Sequence, residues 1–153
     1  MSPTGYQTVT VRDMTPADLA AARGLMKQLG YDIAAPDLRS RYDIVIAAGD
    51  GQALMVAELD GTIVGLLHMF ARPALEKPVE ALVQSLVVDE TCRGAGIGRA
   101  LMASAETWAR DRGFVSVTLH TQLKRADARA FYRSLGYGEV AEAMLMRKKL
   151  ENR

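Results

Sequence analysis

The chain has 153 residues, 49% of them hydrophobic and 24% charged; one domain's length with a sizeable core fits this, and large barrels, two-domain enzymes and a mainly disordered state do not. Nineteen Lys and Arg against eighteen Asp and Glu leave a formal charge of +1, so no global field draws the protein to nucleic acid or an anionic membrane, and any basic site is local. The single cysteine, Cys92, excludes an intramolecular disulfide and a multi-cysteine metal site and suits a reducing, cytoplasmic setting.

The opening Met1-Ser2-Pro3-Thr4-Gly5-Tyr6 has neither the basic nor the apolar region of a secretion signal. No apolar run reaches the ~18 residues of a membrane span. Residues 7–12 alternate with Val9 and Val11 on one face, which predicts a strand. Thr15, Pro16 and Asp18 form a helix start, followed by Leu19, Ala22, Met26 and Leu29 at helical spacing and a stop at Gly30. A second helix is expected from Pro36 through Leu38, Tyr42 and Val45 to Gly49-Asp50-Gly51, with Ile44-Val45-Ile46 arguing against it. Asp60-Gly61 joins strands over 53–59 and 62–70 as an antiparallel hairpin. After Pro73 and Pro78, the apolar run 81–88 reads as a central strand buried on both faces.

Ile97, Leu101, Ala105 and Trp108 then repeat at helical spacing, with Glu106 and Arg110 as an exposed i,i+4 pair and Gly113 as the stop. Residues 114–120 form the next expected strand, 126–135 a short helix ended by Gly136, and 139–150 one strand or a bent pair. The order is that of an α+β chain, antiparallel first and βαβ after, in a single domain over 1–153.

Between the buried strand and the amphipathic helix lies Gly94-Ala95-Gly96-Ile97-Gly98. Such a turn lets an anion approach backbone N–H groups at the positive end of a helix dipole. A glycine turn that only joins two elements is the plain alternative. A nucleotide P-loop requires Gly-Lys-Ser/Thr, whereas Arg99 and Ala100 follow Gly98. A dinucleotide fingerprint requires another glycine spacing and an acid ending the next strand, where Leu119-His120-Thr121 stands.

The segment from Leu86 to Met102, and Arg93-Gly94-Ala95-Gly96-Ile97-Gly98 within it, resembles the acyl-CoA signature of the GCN5-related N-acetyltransferases, the GNAT family: Gln/Arg-x-x-Gly-x-Gly/Ala. Phe131-Tyr132-Arg133-Ser134-Leu135-Gly136-Tyr137 resembles the family's Phe-Tyr-x-x-x-Gly-Phe/Tyr element. The resemblance covers essentially the whole chain. It implies a GNAT fold, a mixed, mostly antiparallel central sheet of about six to seven strands flanked by about four helices, with a splayed strand pair at the acyl-CoA site.

By that resemblance acetyl-CoA is the cosubstrate and no metal takes part. Its pyrophosphate would sit on Arg93, Gly94, Ala95, Gly96, Ile97, Gly98 and Arg99, with the guanidiniums supplying local charge. A bulge at Leu86, Val87 and Val88 would present backbone groups to the pantetheine arm and an N–H to the acyl carbonyl. Tyr132 would be the general acid, since a phenol of pKa about 10 stays protonated and can donate to the departing thiolate. The implied partner is a small-molecule or peptide amine, not nucleic acid or a membrane.

Two departures stand out. Many relatives carry Glu two residues before the position of Leu86, where this chain has Gln84, and an Asn seven residues before the tyrosine, where it has Arg125. Without the Glu, Glu80 acting through water and His120 are candidates, although Glu80 reads more simply as a solvated carboxylate and His68 as a structural histidine. Arg129 and Arg133 read as an exposed helix face and Cys92 as incidental. Tyr31, Asp32, Arg39, Tyr42 and Asp43 lie where an acceptor would bind but form no motif. A homodimer through the strand over 144–150 is allowed by analogy. The alternative function is a catalytically silent acyl-CoA-binding module.

Overall fold

In the computed structural model, which describes residues 8–151, the chain enters through strand β1, Val9–Asp13, and a short 3-10 turn at Pro16–Asp18. Residues 1–6, with the expected absence of a signal, and Gln7 lie outside the described residues. Asp18 is the buried hub of this entry. Its carboxylate accepts two hydrogen bonds from the Arg12 guanidinium, at 2.8 and 2.9 Å, and one from the Thr15 N–H at 2.8 Å, and Arg12 holds its pKa at about 2. Arg12 also reaches Glu58, at 2.7 Å, which fixes the turn to the neighbouring strand.

Helix α1, Leu19–Leu29, ends on Gly30 in the left-handed region, and α2 spans Ala35–Ala47. The β-branched run does not break α2, because Ile44 and Ile46 sit 66% and 51% exposed and pack in no core. Strands β2, Gln52–Leu59, and β3, Thr62–Arg72, pair antiparallel through Asp60 and Gly61, both left-handed at φ 51° and 78°. Asp-Gly tolerates these angles, and they match the twist of the flanking strands. Strand β4 is Glu80–Val88, helix α3 is Ile97–Asp111 and strand β5 is Val117–Leu119.

The five strands lie in chain order, β4 antiparallel to β3 and parallel to β5. The middle strand is therefore β3, not β4 as expected from apolarity alone. On one face Val56, Leu66 and Val87 pack with Ala22 and Leu25 of α1, and Leu38 and Tyr42 of α2 join them. On the other face α3 lies so close that a Cβ at Gly65 would come within 2.9 Å of Leu101 and 3.1 Å of Ile97. Gly65 thus sets how near α3 approaches the sheet.

The chain forms two compact units, one ending at His120 and the other beginning at Thr121. The second contains α4, Ala126–Ser134, followed by Gly136 at φ 94°. The five described strands are fewer than the six or seven expected. Residues 139–150 form no strand, since they join no backbone ladder, and Val140, Met144, Leu145, Met146 and Leu150 are each more than 80% exposed. The strand expected over 114–120 shrinks to three residues. Phe114 instead packs edge-on against Trp108, with ring centroids 5.9 Å apart.

Candidate active site

One strand carries two contrasting ends. At the start of β4, Ala81, Leu82 and Val83 pair with Val117, Thr118 and Leu119 of β5. There the ladder with β5 stops. On the β3 side His68 faces Ser85 and Met69 faces Val83, so Gln84 is an extra residue, a β-bulge. Residues 85–88 consequently have a ladder on the β3 side only, which is the splayed strand pair implied by the sequence resemblance. The bulge falls at Gln84, however, ahead of Leu86, Val87 and Val88.

Glu80 stands at the closed end and is neither solvated nor a free base. It is 5% exposed, ion-paired to Arg72 at 2.8 Å and Lys77 at 2.9 Å. Its other oxygen accepts from the Thr118 hydroxyl at 2.6 Å and the Ser116 hydroxyl at 3.4 Å. The Thr118 and Lys77 hydrogen bonds lower its pKa from 4.5 to about 2. No sequence signal marked this cluster, because its members lie up to 38 positions from Glu80.

At the open end the chain passes directly into the glycine turn. Asp89 donates its N–H to Val64 O at 2.8 Å, which ties the turn to β3. Its carboxylate accepts from the Thr91 N–H at 3.0 Å and hydroxyl at 2.9 Å, bonds that lower its pKa. Gln28 of α1 accepts from the Glu90 N–H at 2.9 Å, a contact that sequence reasoning missed.

Gly94 and Gly96 have φ 86° and 80°, and a Cβ at either would meet open space. Backbone conformation, not crowding, requires glycine there. Gly96 is the N-cap of α3, and Ala100 N–H bonds to Gly96 O at 3.0 Å. The N–H groups of the preceding helical residues have no partner within the helix. No acidic residue lies in the first turn of α3, so the positive end of its dipole stands uncompensated. Arg93 and Arg99 are exposed beside it, Gly98 is half-buried, and Ile97 is buried and anchors the helix.

Leu86, Val87, Val88, Arg93, Gly94, Ala95, Gly96, Ile97, Gly98 and Arg99 therefore form one continuous strand–turn–helix segment. These features fit a phosphorylated thioester with an extended amide arm: backbone donors at a helix N-terminus for phosphate, two exposed cations, and an open strand edge. Cys92 is half-buried, its sulfur 3.7 Å from the Thr91 hydroxyl. His120 is exposed.

His68 is half-buried on β3, its Nε2 2.9 Å from Gln52 Oε1, and burial lowers its pKa. Among the acceptor candidates, Asp43 pairs with Arg39 at 3.2 Å and the Tyr42 hydroxyl donates to Met14 O at 3.4 Å, while Tyr31 and Asp32 are exposed. In the second unit Tyr132 is half-buried, its ring tilted against Phe131 at 5.2 Å and Tyr137 at 6.1 Å. Burial raises its pKa, partly opposed by the charge of Arg125. Arg129 is half-buried, not exposed as expected, and its Nε has no partner among the described residues. Arg133 pairs with Glu139.

The chain resembles an aminoglycoside N(6')-acetyltransferase type 1 of Stenotrophomonas maltophilia, 29% identical over 147 residues, 93% of this chain and 94% of that one. A protein of the same name from Klebsiella aerogenes is 32% identical over 107 residues, 70% of this chain and 66% of that one. A solved structure of the aminoglycoside N-acetyltransferase AAC(6')-Iy in complex with CoA has TM-score 0.86 and 20% identity, over 98% of this chain and all of that one; that likeness concerns the fold. No helix among the described residues is long and apolar enough to cross a membrane. The family model for acetyltransferases (GNAT) matches residues 17–137. The chain belongs to the acetyltransferase (GNAT) family, a family of acyltransferase enzymes.

Proposed function

We propose that the protein transfers an acetyl group from acetyl-CoA directly to a primary amine of a small molecule or peptide. The observation that carries this reading is the open half of β4 running into a glycine turn at an uncompensated helix N-terminus. Arg93, Arg99 and the turn N–H groups hold the pyrophosphate, and residues 86–88 hold the pantetheine arm. An N–H near Val87 or Val88 supports the carbonyl oxygen as negative charge develops on it. The amine nitrogen bonds to the acetyl carbon, the C–S bond breaks, and Tyr132 gives its proton to the thiolate. The raised pKa of Tyr132 keeps that proton in place at neutral pH.

The names of the two relatives make an amino sugar the first acceptor to try. We further read residues 1–153 as one acetyltransferase domain working in the cytoplasm, since the family match extends across both units. The test is CoA-thiol release by the purified protein with aminoglycosides, polyamines, amino acids and peptide N-termini. Turnover with one amine class, and its loss in Tyr132→Phe with acetyl-CoA binding retained, is the expected result. Acetyl-CoA binding without turnover of any amine would leave a silent binding module, and full activity of Tyr132→Phe would remove the tyrosine from the mechanism.

A further inference from the structure

We propose that His68 is the base that takes the proton from the attacking amine, an assignment that rests on the acetyl-transfer reading above.

Its place in the sheet comes first. His68 faces Ser85, the residue immediately after the Gln84 bulge. Leu86, Val87 and Val88 face Leu67, Leu66 and Gly65, the next positions along β3. At ~3.3 Å per residue the imidazole lies within about 10 Å, along the strand, of the backbone assigned to the acetyl group. By alternation His68 shares a face with Leu66, which packs with α1. That face is opposite to the one covered by α3 and is the one on which α1 and α2 pack.

The tautomer follows from its partner. The Gln52 side-chain oxygen can only accept, so the 2.9 Å contact requires Nε2 to carry the hydrogen. In a neutral ring Nδ1 is then the bare acceptor. Burial holds the imidazole neutral by lowering its pKa, and a base must be uncharged before it can accept. Of the charged and titratable groups on the surrounding elements, Glu58 of β2 and Asp18 beside α1 pair with Arg12, Arg72 of β3 pairs with Glu80 of β4, Arg39 and Asp43 of α2 pair with each other, and Tyr42 of α2 donates to Met14 O. Gln84, which stands where many relatives carry Glu, holds an amide that does not titrate.

The chemistry balances. As the nitrogen bonds to the acetyl carbon it becomes positively charged and far more acidic than a free ammonium ion, so a base weaker than the amine suffices. Nδ1 takes that proton through bridging water, Tyr132 protonates the departing thiolate, and solvent returns one proton from the imidazolium to the phenolate.

The test uses the full chain with acetyl-CoA and the amine it acetylates fastest. In His68→Gln, kcat is expected to fall about 100-fold or more while acetyl-CoA affinity is unchanged. In the unaltered protein kcat/KM falls with acid as the imidazole protonates, below the ordinary histidine range, and the variant lacks this limb. In His68→Ala, added imidazole restores part of the rate, which a packing role would not allow. Nitrogen NMR, which needs no acceptor, is expected to show the Nε2–H tautomer.

Turnover and an acid limb unaltered in His68→Gln, or an Nδ1–H tautomer, would overturn the base and leave the acetyl-transfer reading standing. No turnover of any amine by the unaltered protein would remove both.

Discussion

The two ends of β4 differ more than its apolar sequence suggests. At Glu80 the carboxylate holds Arg72, Lys77, Thr118 and Ser116, and three successive residues, Ala81, Leu82 and Val83, ladder to β5. From the Gln84 bulge onward the same strand has one neighbour, and its last residues run into a turn that two left-handed glycines keep open. The open edge of β4 thus depends on the closed one. Only a β5 pinned at its start can leave β4 at a fixed residue, which gives the site a defined geometry without a ladder of its own.

The largest effect is expected from Glu80→Ala. Removing a buried, paired carboxylate should cost about 3 kcal/mol of stability, read as a lower urea midpoint. The acid dependence sharpens this. Because the folded-state pKa is about 2 against 4.5, the carboxylate stabilises fully above about pH 4.5, and its contribution is lost as pH falls through 2. The gap between the two proteins should therefore narrow with acid; a gap independent of pH would refute the ionic account. Gly96→Ala comes next. Its φ of 80° costs a side chain about 1–2 kcal/mol, so acetyl-CoA affinity by calorimetry should fall about tenfold, while Gly138→Ala, whose φ is not left-handed, should leave it unchanged. Thr118→Val is the smallest, about 1 kcal/mol of stability, since Arg72 and Lys77 still hold Glu80.

Much of this was legible in sequence because the signals are local. Asp60-Gly61 defines a hairpin, the spacing of Ile97, Leu101 and Ala105 defines α3, and Arg93 to Gly98 carry the family signature. The bulge was not locatable, since one extra residue in a strand leaves the apolar pattern of 81–88 intact. Glu80 was misread because its cations and hydroxyls come from β3, the loop after it and β5, and a carboxylate at a strand end looks solvated without them. Ile44-Val45-Ile46 reads as strand material, yet helical hydrogen bonding holds the run in α2 with Ile44 and Ile46 exposed. The apolar residues of 139–150 promised a strand, and no ladder supplies one.

Amide hydrogen exchange with and without acetyl-CoA reads the closed and open ends of β4 in one experiment. New protection is expected at Leu86, Val87 and Val88 and from Arg93 to Arg99, with Ala81, Leu82 and Val83 unchanged. Protection of the closed end alone, or none at the open edge and the glycine turn, would contradict an acetyl-CoA site at the open end.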